Sequence, residues 1–220
     1  MTMTDSLKAR EEVEWLNFWY DDADKESQRR VLFLGDSTLR EVRSTAKARL
    51  GCPVDFFGSS FALRDVMFWK QLDTFFDSPY ARYDIIVIQT GNHSRISADG
   101  GKWQPSDHEE YRVMFRKLLQ MLHAYSDKFL VLPAFLIVKP PKRLGRVCRL
   151  LRLRDVFDEN ENAIIKRRNV IMHEVADEAG APFFDLTEVM LRSKFVHKDH
   201  IHYENAAKAY ITDLILPCIK

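Results

Sequence analysis

Cysteine is scarce in this chain. Its 220 residues contain three, Cys52, Cys148 and Cys218, far apart and without a CxxC pair. An odd, scattered set fits no simple disulfide framework, so free thiols in a reducing compartment are expected. A charge excess is missing too. Lys and Arg number 33 against 32 Asp and Glu, a net charge of +1. Whole-chain charge therefore points to neither nucleic acid nor a membrane surface, and no nucleic-acid partner is expected. Long apolar runs are absent. The longest, from Phe129 to Val138, is too short to cross a bilayer and contains Pro133, so no transmembrane segment is expected. The first residues carry Glu11, Glu12 and Glu14 instead of the apolar stretch of a signal peptide. That favours a cytoplasmic location. No Gly-x4-Gly-Lys-Ser/Thr stands anywhere, which excludes a P-loop. There is no internal repeat or low-complexity linker, and no cofactor is expected.

What is present is a globular composition, 46% hydrophobic and 30% charged, long enough for one domain with a proper core. Short apolar runs recur at 31–34 (VLFL), 54–57 (VDFF), 85–88 (IIVI), 129–132 (FLVL) and 182–184 (PFF). Each reads as a buried strand. Helical periodicity fills residues 39–50, 111–125, 160–179 and 205–216. Alternating strands and helices predict an α/β fold: a three-layer α/β/α sandwich around a flavodoxin-like parallel sheet of about five strands. Residues 31–220 form this single domain. Residues 1–30 are expected to be a helical extension, because EEVEWLNFWY spaces its apolar residues as a helix does.

In such a sheet, ligands bind beyond the carboxyl ends of the strands. Those ends collect small and reactive residues here: Gly35-Asp36-Ser37, Gly58-Ser59-Ser60 and Gln89-Thr90-Gly91-Asn92-His93. Asp199-His200-Ile201-His202 stands before the last helix. An ester-cleaving serine needs a base within reach, a group that orients the base, and donors for the oxyanion. Ser37 sits where a strand turns into a helix, so its N–H faces a site favoured by the helix dipole. Gly35 permits a sharp turn, and Thr38 with Glu41 has capping-box spacing. His202 is the candidate base. Asp199, three residues earlier, can fix its tautomer, giving the roles of a Ser-His-Asp triad.

With these four blocks the chain resembles the SGNH (GDSL) hydrolase superfamily over residues 30–216. The resemblance implies an esterase-type site, with Ser37 as nucleophile and an oxyanion hole made by the N–H groups of Ser37 and Gly58 and a third-block side chain. The family usually has Gly-x-Asn in that block. Here His93 takes the third position and Asn92 comes one place early, so either can serve. Some relatives, including polysaccharide O-acetyltransferases, carry a Gly-His-type block.

Other readings compete. A Gly-Asp-Ser turn can be a mere helix cap. A phosphopantetheine attachment site would need a small helical bundle, which the strand before Gly35 opposes. His197 and His200 flank Asp199 and invite a metal reading, but no second cluster supplies the remaining ligands, so no metal is expected. From Lys139 to Arg154 (KPPKRLGRVCRLLRLR) stand seven basic residues and no acidic one. This segment is either a solvated helix or a surface for an anionic partner such as an acidic glycan, a phospholipid headgroup or coenzyme A phosphates. Trp69, Phe75, Phe76 and Trp103 either line a cleft or pack the core. The leading expectation is a hydrolase of carboxylic esters, short-chain or O-acetyl, on a small-molecule or glycan substrate. An O-acetyltransferase sharing the acyl-enzyme and a degenerate anion-binding member are the alternatives.

Overall fold

The structure, a computed structural model, describes residues 14–25, 29–60, 62–93, 105–139, 157–193 and 195–220. Trp103, Cys148 and the basic segment beyond Lys139 lie outside the described residues.

Four parallel strands form most of the sheet: β2 (Val31–Gly35), β3 (Val54–Ser59), β4 (Ile85–Gln89) and β5 (Phe129–Leu132). Their apolar runs are buried on both faces, as strands covered by helices must be. In β2 the side chains alternate between two cores. Leu32 and Leu34 join one hydrophobic cluster, while Val31 and Phe33 join the other. The first cluster is closed by helices α2 (Val66–Phe76), α3 (Pro105–Leu122) and α4 (Glu159–Glu178). The second is closed by α1 (Ser37–Leu50), α5 (Thr187–Arg192) and α6 (Asn205–Ile219). This is the expected α/β/α sandwich. Among the described residues no helix is long and apolar enough to cross a membrane.

Two strand expectations change. The fifth strand is not residues 182–184. That segment touches β5 only through an isolated bridge, Val131 with Phe183. The fifth strand is β1 (Leu16–Trp19), antiparallel to β3 in the sheet order β1-β3-β2-β4-β5. A helix was expected there. The aromatic run fits a strand equally well, because Phe18 packs towards one core and Trp19 towards the other. An open edge of β3 decides between the two periods, a tertiary override of local pattern. Residues 1–13 lie outside the described residues. Two helices, α2 and α5, went unread in the sequence.

The chain leaves β2 for β3 on one side, then crosses to β4 on the other. The topological switch point thus falls between the carboxyl ends of β2 and β4, where such sheets bind ligands.

Candidate active site

Ser37 is the first residue of α1, directly after β2. Asp36 caps this helix: its Oδ1 accepts from the Thr38 N–H at 2.8 Å. The cap is therefore Asp36 and not Thr38, and Glu41 serves elsewhere. Such a cap is worth about 1 kcal/mol. Gly35 matters for close approach, since a Cβ there would stand 2.5 Å from the Gln89 carbonyl oxygen and 2.7 Å from Leu39 Cδ2. The Thr38 hydroxyl lies 2.6 Å from Asp36 Oδ1 and 2.7 Å from Gln89 Oε1, while Gln89 Nε2 donates to the Pro133 carbonyl at 2.8 Å. This buried chain ties the ends of β2, β4 and β5 together. As first residue of the helix, Ser37 has an N–H without an intrahelical acceptor.

His202 comes to Ser37 from 165 residues away, with its Nε2 2.7 Å from Ser37 Oγ. Its Nδ1 lies 2.9 Å from Asp199 Oδ2. An ionised carboxylate only accepts, so Nδ1 carries the proton and Nε2 is left to accept the Ser37 hydroxyl proton. The other carboxylate oxygen of Asp199 accepts from the N–H groups of Ile201 (2.8 Å) and His202 (2.7 Å). Burial alone would push the Asp199 carboxyl up. The two N–H groups and the His202 ring outweigh burial and hold it at about 2. A carboxylate three residues before the imidazole, folded back by a turn, is a local arrangement the sequence spacing allowed.

The loop carrying this pair is anchored to two helices. Glu41 on α1 binds Lys198, next to Asp199, and Lys208 on α6, the latter at 2.9 Å. Burial works against the Glu41 carboxylate, but the two ammonium groups prevail and its pKa falls below the usual carboxylate value. His197 is a core residue: it is buried, stacks on Tyr203 with centroids 4.1 Å apart, and places Nε2 3.0 Å from the Leu136 carbonyl. His200 is exposed. The two do not converge with Asp199 on one point. Among the described residues no three His, Cys, Asp or Glu side chains are grouped to hold a metal ion.

Gly58 departs from expectation. It lies inside β3, opposite Asn17 of β1. The Ser60 N–H donates to the Trp15 carbonyl at 3.1 Å, and the Val31 N–H to the Pro53 carbonyl at 3.1 Å. Alternation along the strand then turns the N–H of Gly58 into the ladder with β1. β2, which leads into Ser37, lies on the other side of β3. Gly58 is thus no free donor for an oxyanion.

The third block is held differently from anything the sequence suggested. Gly91 has φ +112°, which favours glycine, and a Cβ would meet Ala134 at 3.1 Å. Arg168, fully buried on α4, sends its guanidinium to the carbonyls of Gly91 and of His93, the latter at 2.7 Å. One cation thus grips the carbonyls of the residues on both sides of Asn92. Asn92 is 1% exposed, and neither amide atom has a hydrogen-bond partner among the described residues. Buried amides are nearly always satisfied, so this one needs a reason. His93 is half-buried, with its ring edge-on to Trp15 at 5.8 Å between centroids. Arg168 reads as a helix-face residue in the sequence. Only its position between Ile165 and Ile171 on the buried stripe of the helix hinted at burial.

A cavity of about 30 Å³ opens at these strand ends, lined by Gly35, Asp36, Leu63, Phe68, Gly91 and Tyr111 among others. Phe75 and Phe76 are core residues, and Trp69 packs against the same core. A larger groove, of about 1070 Å³, lies at the opposite end of the sheet among Arg30, Tyr80, Asp84 and Lys128. It is remote from Ser37.

No family model matches the chain, and no curated protein matches it. Solved structures do. A mutant of an acetyl-xylooligosaccharide esterase from Geobacillus stearothermophilus superimposes with a TM-score of 0.59 at 14% identity, covering 89% of this chain and 95% of the other. An α/β hydrolase from the metagenome of Lake Arreo, Spain, gives 0.59 at 14%, covering 89% and 96%. A protein from Slackia heliotrinireducens, assigned to the SGNH hydrolases, gives 0.58 at 16%, covering 88% and 99%. At such identities the likeness carries the fold. The α/β/α sandwich described above is the fold these hydrolases share.

Proposed function

We propose that this chain, built on the fold of SGNH hydrolases, is a serine hydrolase of carboxylic esters. The observation that carries the reading is the relay Ser37 Oγ, His202 Nε2, His202 Nδ1, Asp199 Oδ2, with separations of 2.7 and 2.9 Å at its two hydrogen bonds. Ser37 Oγ bonds to the acyl carbon while its proton passes to His202 Nε2. The imidazolium returns that proton to the departing alkoxide, and the alcohol leaves. Water then attacks the acyl-enzyme, giving one proton through His202 back to Ser37 Oγ, and the carboxylic acid departs. Asp199, ionised throughout, holds the tautomer and balances the imidazolium.

The developing oxyanion takes the Ser37 N–H at the helix start. Asn92 supplies the second donor, its amide being buried and without a hydrogen-bond partner among the described residues; His93, which lines the adjoining cavity, is the alternative. The acyl group is short. The acetyl-xylooligosaccharide esterase that shares the fold supports an acetyl group. The alcohol portion is polar, a small molecule or a carbohydrate, in keeping with the acetyl-xylooligosaccharide esterase that shares the fold.

Ser37→Ala tests this directly. Turnover of 4-nitrophenyl acetate should fall by about 10³-fold or more. An organophosphonate probe should label the wild type at Ser37 and not the variant. Full ester cleavage by Ser37→Ala would end the proposal.

A further inference from the structure

Arg40 lies three residues after Ser37 on α1, one turn along the same face of the helix. Its guanidinium sits over the ring of Trp15, 5.7 Å from the centroid. Side chains on a helix lean towards its N-terminus, and here that direction is Ser37. The Trp15 ring in turn meets His93 edge-on. Trp15 is pinned in place: its N–H donates to Ser60 Oγ at 2.7 Å, and its carbonyl accepts from the Ser60 N–H at 3.1 Å. Trp15 thus links Arg40, one helical turn from Ser37, to His93 of the third block.

The same helix shows what distinguishes Arg40. Arg43 and Lys47 both pair with Asp21, and Arg49 pairs with Asp213. Arg40 has no carboxylate and no side-chain hydrogen-bond partner among the described residues; its guanidinium faces the Trp15 ring. It is also half-buried. A guanidinium held over a fixed aromatic ring has its planar fork of N–H donors unused among the described residues. That fork matches a carboxylate or a phosphate in two-point fashion.

We propose that Arg40 and Trp15 form an anion subsite, so that the ester this chain takes carries a carboxylate or phosphate on its alcohol portion, close to the acyl group. The inference rests on Ser37 being the nucleophile. It narrows the substrate from polar esters to acidic ones, with an acetylated uronic acid as the carbohydrate form.

The test is a specificity ratio, because a ratio separates the subsite from the catalytic machinery. Two matched pairs serve: O-acetyl methyl galacturonoside against O-acetyl methyl galactoside, and O-acetyl glycerol phosphate against monoacetylglycerol. Wild type should favour the acidic member of at least one pair in kcat/KM, mainly through KM, and 1 M NaCl should shrink the preference. The pair that responds tells carboxylate from phosphate. Arg40→Gln should lower the acidic-to-neutral ratio by about tenfold to a hundredfold, the usual weight of a charge-assisted two-point contact. Arg40→Lys, which keeps the charge and loses the fork, should fall between. If wild type turns over both members of each pair alike, or if Arg40→Gln lowers acidic and neutral esters by the same factor, the subsite is wrong. Neutral-ester turnover that depends on Ser37 would stand in either case, so the two readings fail separately.

Discussion

Beneath the amino ends of the strands, Arg30 donates to Asp55 at 2.6 Å, and the N–H of Asp21 and the hydroxyl of Tyr83 reach the same carboxylate at 2.9 and 3.1 Å. Asp21 binds Arg43, and Lys47 at 2.9 Å. These charges, apart from the half-exposed Lys47, are buried, and all are matched within the chain. At the carboxyl ends, the Asn92 amide and the Oδ2 of Asp36, next to Ser37 in the chain, are buried as well, yet without partners among the described residues. The two ends share residue types and depth. They differ in whether the chain itself completes the hydrogen bonds. An unsatisfied buried polar group costs about 1–3 kcal/mol. It persists where another molecule completes it, as a developing oxyanion would complete the Asn92 amide N–H groups.

If that contrast is right, damage at the two ends reads out differently. Arg30→Met should give the largest effect on folding. It leaves Asp55 buried without its cation, a loss of about 3–5 kcal/mol. Urea denaturation would measure it, and kcat per folded molecule should not change. Asn92→Ala should do the reverse. Losing one oxyanion donor costs about 10²–10³ in kcat, while the urea midpoint should hold or rise, because no internal hydrogen bond is lost. A stability loss without a rate loss would return the oxyanion role to His93. The smallest effect is expected on acidification. Asp199 titrates at about 2 in the fold, below the usual carboxylate value of about 4. Between those values the unfolded chain binds more protons than the folded one. Stability linked to Asp199 is therefore present above about pH 4 and lost as pH falls towards 2. The side chain is 42% exposed, and solvent screening keeps this effect small. The stability curves of wild type and Asp199→Asn should converge below about pH 2; parallel curves would count against the geometry.

Much of the site was legible because its signals are local. Gly35-Asp36-Ser37 follows an apolar run, and Asp199 precedes His202 by a turn. Each arrangement spans a few residues and is set by backbone geometry that the residues themselves favour. The sandwich was legible for a similar reason, since apolar runs of strand length alternate with helical periods. The misreadings have a common cause. Leu16–Trp19 satisfies two periodicities, and only the open edge of β3 selects the strand. The N–H of Gly58 points one way or the other according to sheet register, which no local pattern encodes. Arg168 looks like any helical arginine until α4 packs against the loop after β4.

By itself, then, the sequence determined which residues sit at the strand ends and which imidazole has a carboxylate beside it. Short-range sterics and hydrophobic burial decide such matters. Tertiary structure alone decided that His202 meets Ser37 across 165 residues, that Arg168 grips the two carbonyls around Asn92, and that Arg40 lies on Trp15. Those contacts join segments far apart in the chain, and their free energy exists only after the layers have packed and water has been excluded between them.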